Sequence, residues 1–206
     1  MVLRPAGPAE TEGWAMTAAR SALLFLALTL MTAPAVAQAI DFLGLPGPIE
    51  LDGKSYELAW SSQPSENYSK QEYVPTGQSV ENYDQMLLVE RLTGDVKVID
   101  AIKNQIAMLE KRKGADPLTH FEVLQNDATG EVVLDFLVSA KDTKGEYVIE
   151  WNLYRYAPTR SGVLLFALSR RAYGNANAKA FLGGLKQLRA AQTGVFLKAA
   201  LPQPQN

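Results

Sequence analysis

Acid–base chemistry near neutral pH has one candidate in this chain. His120 is the only histidine among 206 residues, and Glu122 follows two positions later. On an extended strand the two side chains share a face. A carboxylate beside an imidazole raises its pKa and orients the ring, which is half of a catalytic dyad. No glycine-flanked serine of the hydrolase type accompanies the pair, and as metal ligands the two lack a third donor. The plainer reading is an exposed pair near a sheet end. Zero cysteines exclude disulfides, thiolate metal sites and cysteine nucleophiles. No glycine-rich nucleotide loop and no H-E-x-x-H are present. Glu131, Asp135 and Glu150 fall in strand-like segments, where carboxylate pairs at glycosidase spacing arise by chance. The expectation is a protein without cofactor or metal, with no catalytic residue assigned. A hydrolase or isomerase centred on His120 and Glu122 is the alternative.

Binding chemistry is better represented. The formal charge is only −2, but it is unevenly spread. Residues 38–100 hold four basic and eleven acidic side chains, residues 101–206 fourteen and nine, and no acid follows Glu150. Arg170 and Arg171 close one strand-like segment, and Lys179, Lys186 and Arg189 fall on one flank of the helix that follows. Together they are candidates for an anionic partner, namely an envelope protein or an anionic envelope component. The competing reading is a solvated face beside an apolar stripe. A second candidate surface is the strand face carrying Glu150, Asn152, Tyr154 and Tyr156, which would bind through an uncovered sheet. The net charge and the expected export argue against nucleic acid. A carrier for an apolar ligand held between sheet and helices is a further alternative.

These residues need elements to position them. Ile49–Leu51, the turn Asp52-Gly53 and the alternation Tyr56, Leu58, Trp60 predict a hairpin. Trp60, Trp151, Phe136 and Phe166 occupy apolar positions and are expected in the core. Strands are expected at 68–74 and 86–92, and a helix over 95–113 from the spacing of Ile99, Ile102, Ile106 and Leu109. Four strands should follow, at 121–125, 131–140, from 147 and at 163–172, then a helix over 177–197. Short connections favour antiparallel neighbours. The expected fold is α+β: an antiparallel sheet of about six to eight strands with two main helices packed on one face, since each helix has one apolar stripe to hide. Residues 38–48 read as a lead-in, 49–200 as a single domain and 201–206 as a disordered tail.

The N-terminus carries a targeting pattern. Arg20 precedes the apolar run Ala22–Met31, and Pro34 with Ala35-Val36-Ala37 follows. That order predicts a signal peptide, residues 1–37, cut after Ala37, and a periplasmic protein with no stable membrane span after cleavage. Glu10 and Glu12 are unusual upstream of such a core, so Met16 is the expected start of translation.

The order strands, helix, four strands, helix in an exported chain of this size resembles the PsbP-like α/β sandwich of photosynthetic extrinsic subunits and small bacterial periplasmic proteins. The stretch Glu72–Met86 also resembles a segment of exported bacterial proteins of unknown function. The resemblance implies a scaffold over most of residues 49–200, and no functional residue is carried over, because that superfamily shares a scaffold and not a reaction. The function expected from the residues is a non-catalytic periplasmic binding or adaptor module.

Overall fold

The apolar periodicities resolve into ten elements. The structure, a computed structural model, describes residues 39–205; the expected signal peptide, its cut after Ala37 and the start at Met16 lie outside the described residues. Strands β1 (Ile49–Leu51), β2 (Lys54–Ser65), β3 (Tyr68–Pro75) and β4 (Gln85–Thr93) precede helix α1 (Val98–Lys113). Strands β5 (His120–Asn126), β6 (Glu131–Lys141), β7 (Tyr147–Thr159) and β8 (Gly162–Tyr173) lead into helix α2 (Asn175–Lys198). All eight strands form one antiparallel sheet in the order β1-β2-β3-β4-β8-β7-β6-β5. The α+β architecture with an antiparallel sheet is therefore present, and α1 is the connection that carries the chain from β4 to the far edge.

The helices do not share a face. Val98, Ile102 and Leu109 of α1 cluster with Val132, Leu134 and Phe136 of β6 and with Leu165 and Ala167 of β8. Ala178, Leu185 and Phe196 of α2 cluster with Val133 and Leu137 of β6 and with Leu164, Phe166 and Leu168 of β8. Adjacent strand residues point to opposite sides, so the two helices cover opposite faces of the sheet. The reason lies in β8. Its run Val163-Leu164-Leu165-Phe166-Ala167-Leu168 is apolar at every position and buried throughout, which requires cover on both sides. One helix cannot supply it.

α1 ends at Gly114, and the next residues anchor the helix to the sheet. The Asp116 carboxylate accepts hydrogen bonds from the Ser139 N–H and hydroxyl at 2.6 Å each, and from Arg112 Nε at 3.1 Å. Burial alone would raise this carboxyl, but the bonds from Ser139 and Arg112 outweigh it and lower its pKa to about 2.

The expected disordered tail is instead docked on the α2 face as far as residue 205. Leu201 packs against the core there, the Gln205 N–H donates to the Leu43 carbonyl at 2.8 Å, and Arg91 Nη1 donates to the Gln205 carbonyl at 3.0 Å. Gly44 permits this approach: its φ is +63°, and a Cβ there would lie 2.7 Å from Gln205 Cβ. The lead-in is fixed in turn by the buried Gln71, whose Oε1 accepts from the Leu43 N–H at 2.8 Å. A chain end with backbone and apolar partners of this kind is ordered without being helix or strand.

Candidate functional site

The α1 face of the sheet gathers Glu150, Asn152, Tyr154 and Tyr156 together with one of the cations, Arg171. Glu150 of β7 lies opposite Arg171 of β8, and the two form an ion pair. The buried Tyr83 donates its hydroxyl to Glu150 at 2.6 Å, and its ring lies 4.1 Å from the Arg171 guanidinium. Asn152 accepts a hydrogen bond from Ser169, and its Nδ2 is buried without a partner. Tyr154 stacks edge-on against Phe136 at 4.8 Å, and Tyr156 is buried beside it. Farther along, Lys70 lies opposite Glu90 and pairs with Glu72 at 2.8 Å. Burial holds the Glu90 carboxyl above the usual range despite the Lys70 charge.

This face is not the uncovered sheet expected for Glu150, Asn152, Tyr154 and Tyr156. Asn152 is 1% exposed and Tyr156 4%, because α1 and the neighbouring strands cover them. They form a polar layer whose charges answer one another. Trp60, expected in the core, is 40% exposed; it stands on the outer strand β2, with Lys70 Nζ 5.6 Å from its ring centroid.

The basic cluster is not a single patch. Arg170 and Arg171 are adjacent in β8 and point to opposite faces. Arg170 donates to the Asp84 carbonyl, whereas Arg171 is bound to Glu150. Arg189 is turned inward, its guanidinium 2.7 Å from Asp135, which also accepts from Trp151 Nε1 at 2.8 Å. Lys179 and Lys186 are exposed along α2. Three of the five cations are thus occupied by acceptors of the protein itself.

His120 and Glu122 do sit side by side, 3.6 Å apart on β5, with side chains 63% and 62% exposed. β5 is an edge strand, so solvent bathes the pair and no walls exclude water from it. The cavity beneath the C-terminal turns of α2, lined by Leu168, Gln192 and Phe196 among others, measures about 10 Å³. That is room for one water at most, not for an apolar ligand. Among the described residues, no three His, Asp or Glu side chains converge in a way that could hold a metal ion, and no helix is long and apolar enough to cross a membrane.

Open binding capacity lies at one end of the sheet. A cleft of about 490 Å³ is bounded by the β7–β8 hairpin, Arg91 of β4 and the docked tail at Leu201–Pro204. Arg160 and Ser161 form the two-residue turn. Gly162 presses it against the end of β4: its φ is +141°, and a Cβ there would fall 2.1 Å from the Leu92 carbonyl oxygen. The Gly94 N–H then donates to the Ser161 carbonyl at 2.9 Å. This holds Arg160 at the rim while Arg91, anchored to the tail, forms one wall. Pro158, Leu164 and Leu201 line the apolar part, Thr159 and Ser161 contribute hydroxyls, and among the described residues no acidic side chain takes part. On the other side of the hairpin Arg160 also borders a second hollow of about 480 Å³ that includes Asp95 and Lys97. Sequence reasoning missed Arg91 and Arg160, which are 69 positions apart and belong to no motif. The one available signal was a cationic residue interrupting the apolar strand at 86–92.

No curated protein and no solved structure matches this chain. A family model does, over residues 43–201, from the buried Leu43 to the docked Leu201. The match takes in the whole sheet, both helices and most of the cleft, and the chain accordingly belongs to that family, which is one of unknown function.

Proposed function

We propose that the protein is exported to the periplasm and serves there as a non-catalytic binding module for an anionic envelope component, held in the cleft between the β7–β8 hairpin and the C-terminal tail. One observation carries the reading: two guanidinium groups, Arg91 and Arg160, line a space of about 490 Å³ to which, among the described residues, no acidic side chain contributes. Ligand sites are commonly clefts of ~300–1,000 Å³ with an apolar lining and a few convergent polar groups. Guanidinium groups bind carboxylates and phosphates bidentately, and Leu164, Leu201 and Pro158 would receive an apolar portion. The ligand class is therefore a small amphipathic anion. The PsbP-like scaffold belongs to the same reading and rests on the element order and the stretch Glu72–Met86.

Calorimetric titration with monomeric short-chain phosphatidylglycerol, against the zwitterionic phosphatidylcholine of equal chain length, tests the proposal. Saturable one-to-one binding of the anionic lipid, weakened by salt and lost in the double variant Arg91→Gln/Arg160→Gln, is the expected result. Equal binding by the variant removes the cleft from the account. Export is tested separately by N-terminal sequencing of the protein from the periplasmic fraction, which should begin at Gln38.

A further inference from the structure

Of the two cleft guanidiniums, Arg91 is the one held in place, and what holds it starts in the core. Arg91 projects from β4 on the same face as Val89, whose ladder partner in β3 is Gln71. Gln71 is fully buried and bonded at both ends of its amide. Its Nε2 donates to the Tyr73 hydroxyl at 2.7 Å and to the Leu45 carbonyl at 3.3 Å, and its Oε1 accepts from the Leu43 N–H. Asp41 Oδ1 accepts from the N–H groups of Leu43 and Leu45 and closes the lead-in turn. The Leu43 carbonyl then accepts from the Gln205 N–H at 2.8 Å, and the Gln205 carbonyl accepts from Arg91 Nη1 at 3.0 Å. Pro202 and Pro204 have no N–H to give, and the Gln203 amide bonds only the Leu201 carbonyl of its own segment. The place of the tail tip is therefore set at Gln205, where Gly44 leaves the room that a Cβ would take.

We infer that Gln71 and Gln205 are positioning residues of the anion cleft: through the backbones of Leu43 and Gln205, a buried amide fixes the guanidinium of Arg91. The inference rests on the reading of the cleft given above. An arginine that is free in solution gives up rotamer freedom when it takes a ligand. Arg91 has given it up already, to a neutral carbonyl. That bond takes one N–H and leaves the rest of the fork to a carboxylate or phosphate. Arg160 stands exposed on its turn, and among the described residues it has no such anchor. The two cations thus divide the work. Arg91 is the fixed point that sets where the anionic group sits, and Arg160 meets it from the rim. The lead-in belongs to the site although none of its residues lines the cleft, because a site is only as precise as the groups that support it.

Two measurements on the full chain test the inference: NMR relaxation of the Arg91 Nε–H without ligand, and calorimetry with the same short-chain phosphatidylglycerol. Gln205→Pro removes the N–H that the Leu43 carbonyl accepts and keeps the apolar wall of the tail. The Arg91 side chain is expected to be rigid in the parent and mobile in this variant, with lipid binding weakened about fivefold. Gly44→Ala, which pushes Gln205 away, should do the same. In an Arg91→Gln background neither change should weaken binding further, because both act through Arg91. Gln71→Met addresses the buried end of the relay, and Gln205→Pro keeps the test decisive should that variant fail to fold. Lipid binding that Gln205→Pro leaves unchanged, an Arg91 equally mobile in parent and variant, or an equal loss in the Arg91→Gln background would each overturn the inference and leave the cleft standing. A parent that does not bind the anionic lipid overturns the reading of the cleft and the inference with it.

Discussion

The two faces of the sheet use polar residues in opposite ways. Under α2 they act as isolated fasteners inside an apolar layer: Asp135 ties Trp151 to Arg189, and Gln71 ties the lead-in to the sheet. Under α1 they form an extended layer in which Glu150, Arg171 and Tyr83, then Lys70, Glu72 and Glu90, face one another across strands. The difference teaches that abundance of charge is a poor guide to binding. The α1 layer holds more ionisable groups, but they compensate each other. The cleft beside the α2 face is lined by two guanidinium groups and, among the described residues, by no acidic side chain, so charge without a carboxylate partner there is what remains available to a ligand.

The largest effect that could break this contrast belongs to the α2 face. Trp151→Ala removes a fully buried indole and strips Asp135 of one donor, so a loss of about 4 kcal/mol is expected in urea unfolding. On the α1 face, Arg171→Ala strands Glu150 against Tyr83 and should cost about 3 kcal/mol. Pairing that change with Glu150→Gln should recover part of the loss, since the half-buried charge left without its partner is removed as well. Failure of the second change to recover anything would mean that the layer is not mutually compensated.

Asp116 separates burial from hydrogen bonding at the end of α1. Its folded pKa of about 2 lies below the ordinary 3.8. The stabilisation is therefore complete above about pH 4 and is lost as pH falls towards 2, amounting to roughly 2 kcal/mol. Asp116→Asn should flatten that part of the stability–pH curve, as measured by denaturant midpoints between pH 2 and 5.

The smallest stability effects belong to the cleft and sharpen the contrast from the other side. Removing residues 201–206 should cost about 1 kcal/mol through the lost Leu201 packing and weaken anionic-lipid binding at least tenfold. Arg160→Gln, at an exposed turn, should leave the thermal midpoint within the scatter of surface substitutions, about 0.5 kcal/mol, while binding of the anionic lipid falls.

Periodicity made much of the architecture legible. The stripe Ile102, Ile106, Leu109 placed α1, and the alternation Ile149, Trp151, Leu153 fixed which side of β7 is apolar. Three things were misjudged. Both helices were expected on one face of the sheet, although the unbroken apolar run of β8 demands cover on both faces. The tail looked disordered because Pro202 and Pro204 exclude helix and strand, and composition does not reveal that Leu201 packs on the core or that the Gln205 backbone bonds to the distant Leu43 and Arg91. The basic residues of α2 were grouped by their spacing along the chain, which carries no information about Asp135.

Local sequence determined what kind of element each segment forms, because backbone sterics and the period of apolar side chains act over a few residues. Net charge, the absence of thiol chemistry and the isolation of His120 were equally its own. Which cations stay free was decided only in three dimensions. A charge is compensated through space over a few ångströms, and the strands that bring Arg171 to Glu150 and set Arg91 near the turn that carries Arg160 are joined by register and not by sequence distance.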